Sequence, residues 1–463
     1  MIIHVFNGAR QGEADVDRLA DAARVAAESG GHRAVPWTLR DNDFTFCRGC
    51  FRCWVATPGT CCGTHADRDV ARRLADADVV VVTTSLSFGC HSSGLKIALD
   101  HALPMLSYEF QRWAGETHHP LRYGRFPPIL AVASATTRDA TAEGVFSTLL
   151  WRTSFNSRAP TAAAVFGPGD GVDRIVERLA AILAGLSGRP SQLTPSAHVL
   201  SPELPHLVLP QRLDLAEVGT GDLVMDPQPA KRAVLLVGSP KPGLKPSSPD
   251  DRSASLALGR ALARRLFGHG VAGQTLFLCE TVRISGSTKQ MLAAVETADL
   301  VILSFPLTLD CLPAPALRAL ELIAGARRHR ASRARPRPGF FALCQSGFPE
   351  AEQSATALAI CQQFAKEAGF DWRGGLAVGG GPAVASRLRR GGPGRHGVSA
   401  LDLAADQLAS GRAVPLDVVS RAAKQAMPAF VYRRAVERGF RRQARQHGVR
   451  RASAARPFEP QEG

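Results

Sequence analysis

The 463-residue sequence predicts an α/β protein of two tandem, doubly wound units, each with a parallel sheet of five strands. Three observations predict it. Segments 78–85 (DVVVVTTS) and 298–306 (ADLVILSFP) are continuous apolar runs, as in strands buried on both faces. Helix-period segments follow the strand-like ones through short connections. After a proline-rich stretch the pattern restarts with similar spacing, which reads as a tandem duplication of one unit.

The first strand is IIHVF (2–6), which opens into the Gly-punctuated turn NGARQG. Residues 15–29 have apolar side chains at helical spacing and stop at Gly30-Gly31. HRAVPWTL is the second strand. A Cys-rich loop, a helix (DRDVARRLADA) and the third strand at 78–85 follow. A helix at 92–103, a strand at 126–134, a helix at 142–153, the weaker strand APTAAAVF and an amphipathic helix at 172–186 complete the unit. In the second half, RAVLLVGSPK (232–241) is a strand entering a Gly/Ser/Pro loop, followed by SLALGRALARRLF as a helix and VAGQTLFL as a strand. A helix near 288–296, the strand at 298–306, a helix at 314–324, a strand at 339–347, a long helix and the strand-like LAVGGG follow. The expected domains are 1–187, a proline-rich linker 188–230, a second unit 231–412 and a basic helical tail 413–463.

The formal charge is +15, from 56 Lys plus Arg against 41 Asp plus Glu. Residues 1–190 are nearly neutral, with 20 basic and 19 acidic side chains, whereas 421–456 carry 11 basic and 1 acidic. A polyanion-binding protein is therefore not the natural reading, and no nucleic-acid partner is expected. No apolar run reaches the roughly 18 residues of a membrane span, so no transmembrane segment is expected. The N-terminus lacks a secretory pattern, and a cytoplasmic location is expected. In a reducing compartment ten cysteines suggest metal, cluster or redox chemistry before structural disulfides.

Ligands of such sheets bind beyond the carboxyl ends of the strands, where Gly/Ser loops present N–H groups and a helix N-terminus to phosphate. The second half has Gly238, Ser239, Pro240 and Lys241, then Ser247, Ser248, Ser253 and Ser255. The first half has Gly8, Ala9, Arg10, Gly12, Glu13 and Asp15, with carboxylates where hydroxyls are wanted. The sharpest motif is Cys47-x2-Cys50-x2-Cys53-x7-Cys61, with Cys62 adjacent. Its spacing suits a [4Fe–4S] cluster, a four-thiolate zinc site, or a redox-active or incidental group of thiols. Cys90, Cys279, Cys311, Cys344 and Cys361 are isolated and read as packing residues.

CRGCFRCWVATPGTC (47–61) and SFGCHSSGLKIALDH (87–101) resemble the NAD(P)H-dependent FMN reductase and iron–sulfur flavoprotein family, of flavodoxin-like fold. LLVGSPK (235–241) and FPLTLDCLPAPALRALELI (305–323) carry the same marks in the second half. The resemblance implies FMN at the sheet edge and NAD(P)H as donor. Ser239, Lys241, Ser253 and Ser255 would hold the phosphate, and Pro306, Leu307, Thr308 and Asp310 would border the flavin ring. In the first half it implies Ser85, Phe88 and Gly89 at the ring, with Phe88 as its contact, and Cys47, Cys50, Cys53 and Cys61 as cluster ligands. The first half departs from the family at Ala9, Glu13, Asp15 and Ser85; the second has Leu307 and Leu309 where aromatics are common.

His118 and His119 in GETHHPLRY are expected on a polar, solvated loop, and Lys96 with Asp100 as an i, i+4 ion pair. The tail 429–451 and the cluster 327–337 read as a docked or solvated basic helix and a solvated loop. The leading reading is an FMN-dependent NAD(P)H oxidoreductase passing electrons to a quinone, a flavin or an iron–sulfur acceptor. Its partner would be a small-molecule acceptor or a redox protein, with homo-oligomerisation left open. The rival is a non-catalytic electron carrier or scaffold with degraded flavin sites. A basic-tail regulator is a third reading.

Overall fold

A computed structural model describes residues 1–187, 213–241, 253–328, 337–386, 388, 395–449, 451 and 454–459. They form two compact units. One takes the described residues up to 187 and from 434 onward, the other those from 213 to 433.

In the first unit β1 (Ile2–Asn7), β2 (Arg33–Thr38), β3 (Val79–Ser87), β4 (Ile129–Ser134) and β5 (Thr161–Phe166) are parallel, in the order β2-β1-β3-β4-β5. This is the flavodoxin-like 2-1-3-4-5 order. Helices α1 (Ala14–Ser29), α2 (His65–Asp76), α3 (Ser93–Leu99), α4 (Ala140–Ser157) and α5 (Val172–Ser187) connect or follow the strands. Alternation along the strands sends Val5, Val81, Leu130 and Val132 to one face, where Leu19 and Ala23 of α1 and Leu179 of α5 cover them.

The second unit repeats the order with β6 (Arg232–Val237), β7 (Ala272–Phe277), β8 (Leu300–Pro306), β9 (Gly339–Gln345) and β10 (Asp371–Val378), as β7-β6-β8-β9-β10. Its helices include α6 (Ala254–Gly268), α7 (Ser285–Thr297), α8 (Ala314–Arg328), α9 (Ala355–Ala368), α10 (Arg395–Ala409) and α11 (Leu416–Ala423). Leu235, Ile302, Phe341 and Leu376 pack with Leu262 of α6 and Leu401 of α10.

The third strand of each sheet ends in the same device. Ser87–Cys90 and Thr308–Cys311 are tight turns whose two central residues have positive φ: Phe88 at 56° and Gly89 at 75°, Leu309 at 51° and Asp310 at 56°. Such turns match the right-handed strand twist but suit glycine or asparagine. Three of the four are neither, a strain of the order of 1–3 kcal/mol per residue that clusters at functional sites.

The boundaries differ from the expected ones. Most of the proposed linker lies outside the described residues, but from Asp214 onward the chain is folded into the second unit. Asp214 caps a short helix, Leu215–Gly219, and Trp372 Nε1 donates to Thr220 O at 3.1 Å. α11, placed in the tail from sequence, packs Val418, Val419 and Ala422 into the second core. From Arg434 on, α12 (Ala429–Gln446) belongs to the first unit, with Phe440 and Ala444 packed on it and Arg434, Arg438, Arg441, Arg442 and Arg445 exposed. Within cluster 327–337, Arg327 and Arg328 close α8, Arg337 is exposed, and 329–336 lie outside the described residues. Among the described residues no helix is long and apolar enough to cross a membrane.

The Lys96–Asp100 pair is not a surface pair. Lys96, in the middle of α3, and Asp100, its C-cap, are an i, i+4 pair with side chains 1% and 2% exposed and in direct contact. Removing one partner of a buried ion pair is costly, because the other charge loses its direct counter-charge. Lys96→Met should destabilise the first unit by about 3–5 kcal/mol in urea unfolding. The double variant Lys96→Met/Asp100→Leu should recover much of that loss; a loss equal to the sum of those of Lys96→Met and Asp100→Leu would show the pair to be uncoupled.

Candidate functional site

The Cys-bearing segment of the first unit hangs on one carboxylate. Thr64 caps α2 by accepting from Asp67 N at 3.2 Å, and Asp67 accepts from Thr64 N at 3.0 Å, a capping box. Asp67, 0% exposed, also accepts from Thr45 N at 3.1 Å and Thr45 Oγ1 at 2.6 Å. One side chain thus ties both ends of the segment that carries the cysteines. His101 Nε2 lies 3.0 Å from Asp67 Oδ1 and 2.8 Å from Thr45 O. Two acceptors assign the proton to Nε2 and leave Nδ1 to accept. Cys61 Sγ sits 3.4 Å from that Nδ1 and accepts from Gly63 N at 3.4 Å.

The five thiols do not form one ligand shell. Cys53 is buried among Trp54, Val55, Leu106 and Tyr108, Cys47 is half-buried, and Cys61 is engaged with His101. Cys50 and Cys62 are exposed and face each other, with Sγ atoms 3.9 Å apart. Among the described residues no three His, Cys, Asp or Glu side chains are grouped so as to hold a metal ion. Burial, reinforced by Asp100 and neighbouring thiols, raises the Cys47 thiol; burial and neighbouring thiols raise Cys53. Burial lifts Cys61 to about 11. As placed, Cys47, Cys50, Cys53 and Cys61 are not gathered as the ligand shell of one metal centre.

Next to the thiols lies an aromatic cluster. Phe51 stacks on Trp54 with centroids 4.8 Å apart, and Phe440 meets both edge-on at 5.6 and 5.5 Å. Buried Arg122 donates to Pro104 O, Leu106 O and Ala455 O, joining the C-terminal residues to this region. His118 and His119 are not solvated. His118 is on the hairpin Gln111–Trp113/Glu116–His118, 0% exposed, with Nδ1 3.0 Å from Asn156 Oδ1. His119 stacks on Phe110 at 4.9 Å. The alternating apolar pattern that would have announced this hairpin is missing from GETHHPLRY.

At the carboxyl edge of the first sheet the anion position is already filled. The Glu13 carboxylate accepts from Arg10 N at 2.8 Å, Arg10 Nε at 3.0 Å and Arg10 Nη2 at 2.7 Å. Burial alone would raise Glu13, but these bonds and one from Ser85 hold its carboxyl below the usual range. The loop is closely packed: a Cβ on Gly8 would lie 2.6 Å from Thr83 O and 2.7 Å from Leu95 Cβ. Phe88, expected at a flavin ring, is 4% exposed, and a Cβ on Gly89 would strike Val145. Phe88 and Gly89 are thus buried in the first unit, while Ser85 is half-exposed and hydrogen-bonded to Glu13.

The second sheet is arranged differently. Ser239 and Lys241 follow β6, and Pro306 ends and Leu307, Thr308 and Asp310 follow the adjacent β8, on the two strands at the switch point of the strand order. Ser239 Oγ accepts from Lys241 N at 3.3 Å. Ser253 caps α6 by accepting from Leu256 N at 3.1 Å. Residues 242–252 lie outside the described residues, Ser247 and Ser248 among them. Ser255 is buried, its Oγ accepting from Gln345 Nε2 at 3.3 Å. Pro306, Leu307 and Thr308 are half-exposed, while Asp310 is buried. Tyr432 Oη donates to Gly347 O at 3.0 Å beyond β9, a contact with no sequence signal. A groove of about 800 Å³ is lined by helices α1 and α5, from Ala14 to Ser29 on the first.

No family model and no curated protein matches the chain. Solved structures resemble parts of it. An azoreductase from Bacillus anthracis matches at 13% identity and TM-score 0.26, over 39% of this chain and 99% of that one. An NAD(P)H:quinone oxidoreductase from Methanothermobacter marburgensis matches at 13% and 0.30, over 39% and 96%. A flavodoxin, WrbA-like protein from Agrobacterium tumefaciens matches at 12% and 0.24, over 47% and 99%.

Burial lowers His91 to about 3 and His119 to about 4, so both stay neutral in the folded unit where the unfolded chain, near 6.5, takes up protons. Their stability contribution is complete above about pH 6.5 and falls as the pH drops toward 4. The thermal midpoint of the first unit should fall over that window, and His119→Phe should flatten the decline. An unchanged slope in the variant would show that His119 titrates normally.

Proposed function

We propose that the protein is an FMN-dependent NAD(P)H oxidoreductase whose flavin site is in the second unit, the first having been copied from the same ancestor and having lost its own. One observation carries this: Ser239 and Lys241 stand beside the strained Leu309–Asp310 turn, on adjacent strands at the switch point. The residues fit the group. A Ser hydroxyl, a Lys ammonium and the N-terminus of a 15-residue helix are the donors a phosphate needs. Half-exposed Leu307 and Thr308 supply an apolar and a hydroxyl edge for a planar ring. The first unit does not fit, because Glu13 already satisfies the donors that a phosphate would take.

FMN supplies hydride acceptance from NAD(P)H and delivery to a quinone, flavin or redox-protein acceptor. The chain binds the phosphate, orients the ring and fixes the local charge. No step is assigned to an iron–sulfur cluster.

Anaerobically purified protein reconstituted with FMN should bind one flavin per chain and bleach on adding NADPH or NADH. Lys241→Ala should weaken FMN binding about tenfold or more, the worth of one charge-assisted hydrogen bond, while Glu13→Gln leaves it unchanged. A protein that stays colourless overturns the proposal. Flavin that binds but is not reduced by either nucleotide selects the non-catalytic carrier.

A further inference from the structure

We infer that Cys50 and Cys62 are a reversible dithiol–disulfide pair that exchanges with low-molecular-weight disulfides of the glutathione type. Of the five clustered thiols these two are exposed, and their sulfurs already lie 3.9 Å apart. The other three are accounted for: Cys53 is sealed in the aromatic cluster, Cys47 is half-buried, and Cys61 is held by His101 and Gly63 N. The spacing singled out Cys47, Cys50, Cys53 and Cys61 as one group, whereas the fold sets Cys50 apart and pairs it with the residue outside that group.

The backbone holds the pair in place from both sides. Gly49 and Phe51, with φ of 59° and 54°, flank Cys50 in a left-handed turn, and the Phe51 ring is anchored on Trp54 and Phe440. Cys62 lies between Cys61, fixed on His101, and Gly63, where any Cβ would strike Asp67. A disulfide needs sulfurs about 2.05 Å apart. Rotating two exposed side chains brings them together while these anchors stay put. The reaction balances. One cysteine thiolate attacks the small disulfide, forming a mixed disulfide and releasing one small thiol. The second cysteine attacks the protein-bound sulfur and releases the other. Two electrons pass from the protein pair to the small disulfide, and the two thiol protons end on the released thiols.

The test uses the full chain, equilibrated in buffers of oxidised and reduced glutathione, alkylated and peptide-mapped. The wild type should gain one bond joining Cys50 to Cys62, with two fewer alkylatable thiols, and dithiothreitol should restore both. Cys50→Ser and Cys62→Ser should each stop at a glutathione adduct on the remaining partner. Far-ultraviolet circular dichroism should not change on oxidation. A bond to Cys47, Cys53 or Cys61 overturns the inference, as does wild type that stays fully alkylatable in oxidised glutathione. So does iron with acid-labile sulfide that is lost in Cys50→Ser and kept in Cys62→Ser.

Discussion

The Asp67 carboxylate is the constraint on which the first unit's distinctive region depends. It caps α2, gathers Thr45 and Thr64 from opposite ends of the Cys-bearing segment, and fixes the His101 ring beside Cys61. A buried carboxylate is expensive unless its lone pairs are met, and each charge-assisted bond returns about 1.5–3 kcal/mol. The segment between Thr45 and Thr64 holds only one short helix, Arg52–Val55. Asp67 fixes the ends of the segment, and its middle is held by the Phe51–Trp54–Phe440 cluster and by Trp54 Nε1 donating to Leu103 O.

The two units solve one architectural problem with opposite chemistry at the sheet edge. In the first, Arg10 and Glu13 form an internal ion pair that closes the anion position. In the second, Ser239 and Lys241 follow β6 and Ser253 caps α6, with no acid in the described part of that connection. The residues differ in charge, whereas the strand order and the strained turn after the third strand do not. A scaffold can keep its geometry and still exchange a ligand site for a structural contact.

Much of this was legible in the sequence. Apolar runs and helical periods located both sheets, because periodicity reports burial. The carboxylates at Glu13 and Asp15 already argued against phosphate, and the structure adds that Glu13 takes the place itself. Three things were not legible. Phe88 and Leu309 lack the glycine or asparagine signature of left-handed turns. His118 is buried, and His119 half-buried, at a hairpin of three-residue strands, too short for an alternating pattern. Spacing alone grouped Cys61 with Cys50; only the fold shows that His101, forty residues on, claims Cys61 and leaves Cys62 as the neighbour. Long-range partners of this kind follow from topology, which a local pattern does not encode.

The placement of α12 has a consequence for how the chain is made. Phe440, Ala444 and Val449 complete an apolar cluster whose other members, from Phe51 to Leu121, emerge more than 300 residues earlier. At about 5–20 residues per second, that interval is roughly 15–65 s of synthesis. Throughout it, Trp54, Tyr108 and Leu106 lack their last cover. The first unit is begun first and finished last, so its aromatic surface is the part of the nascent protein most dependent on protection from aggregation.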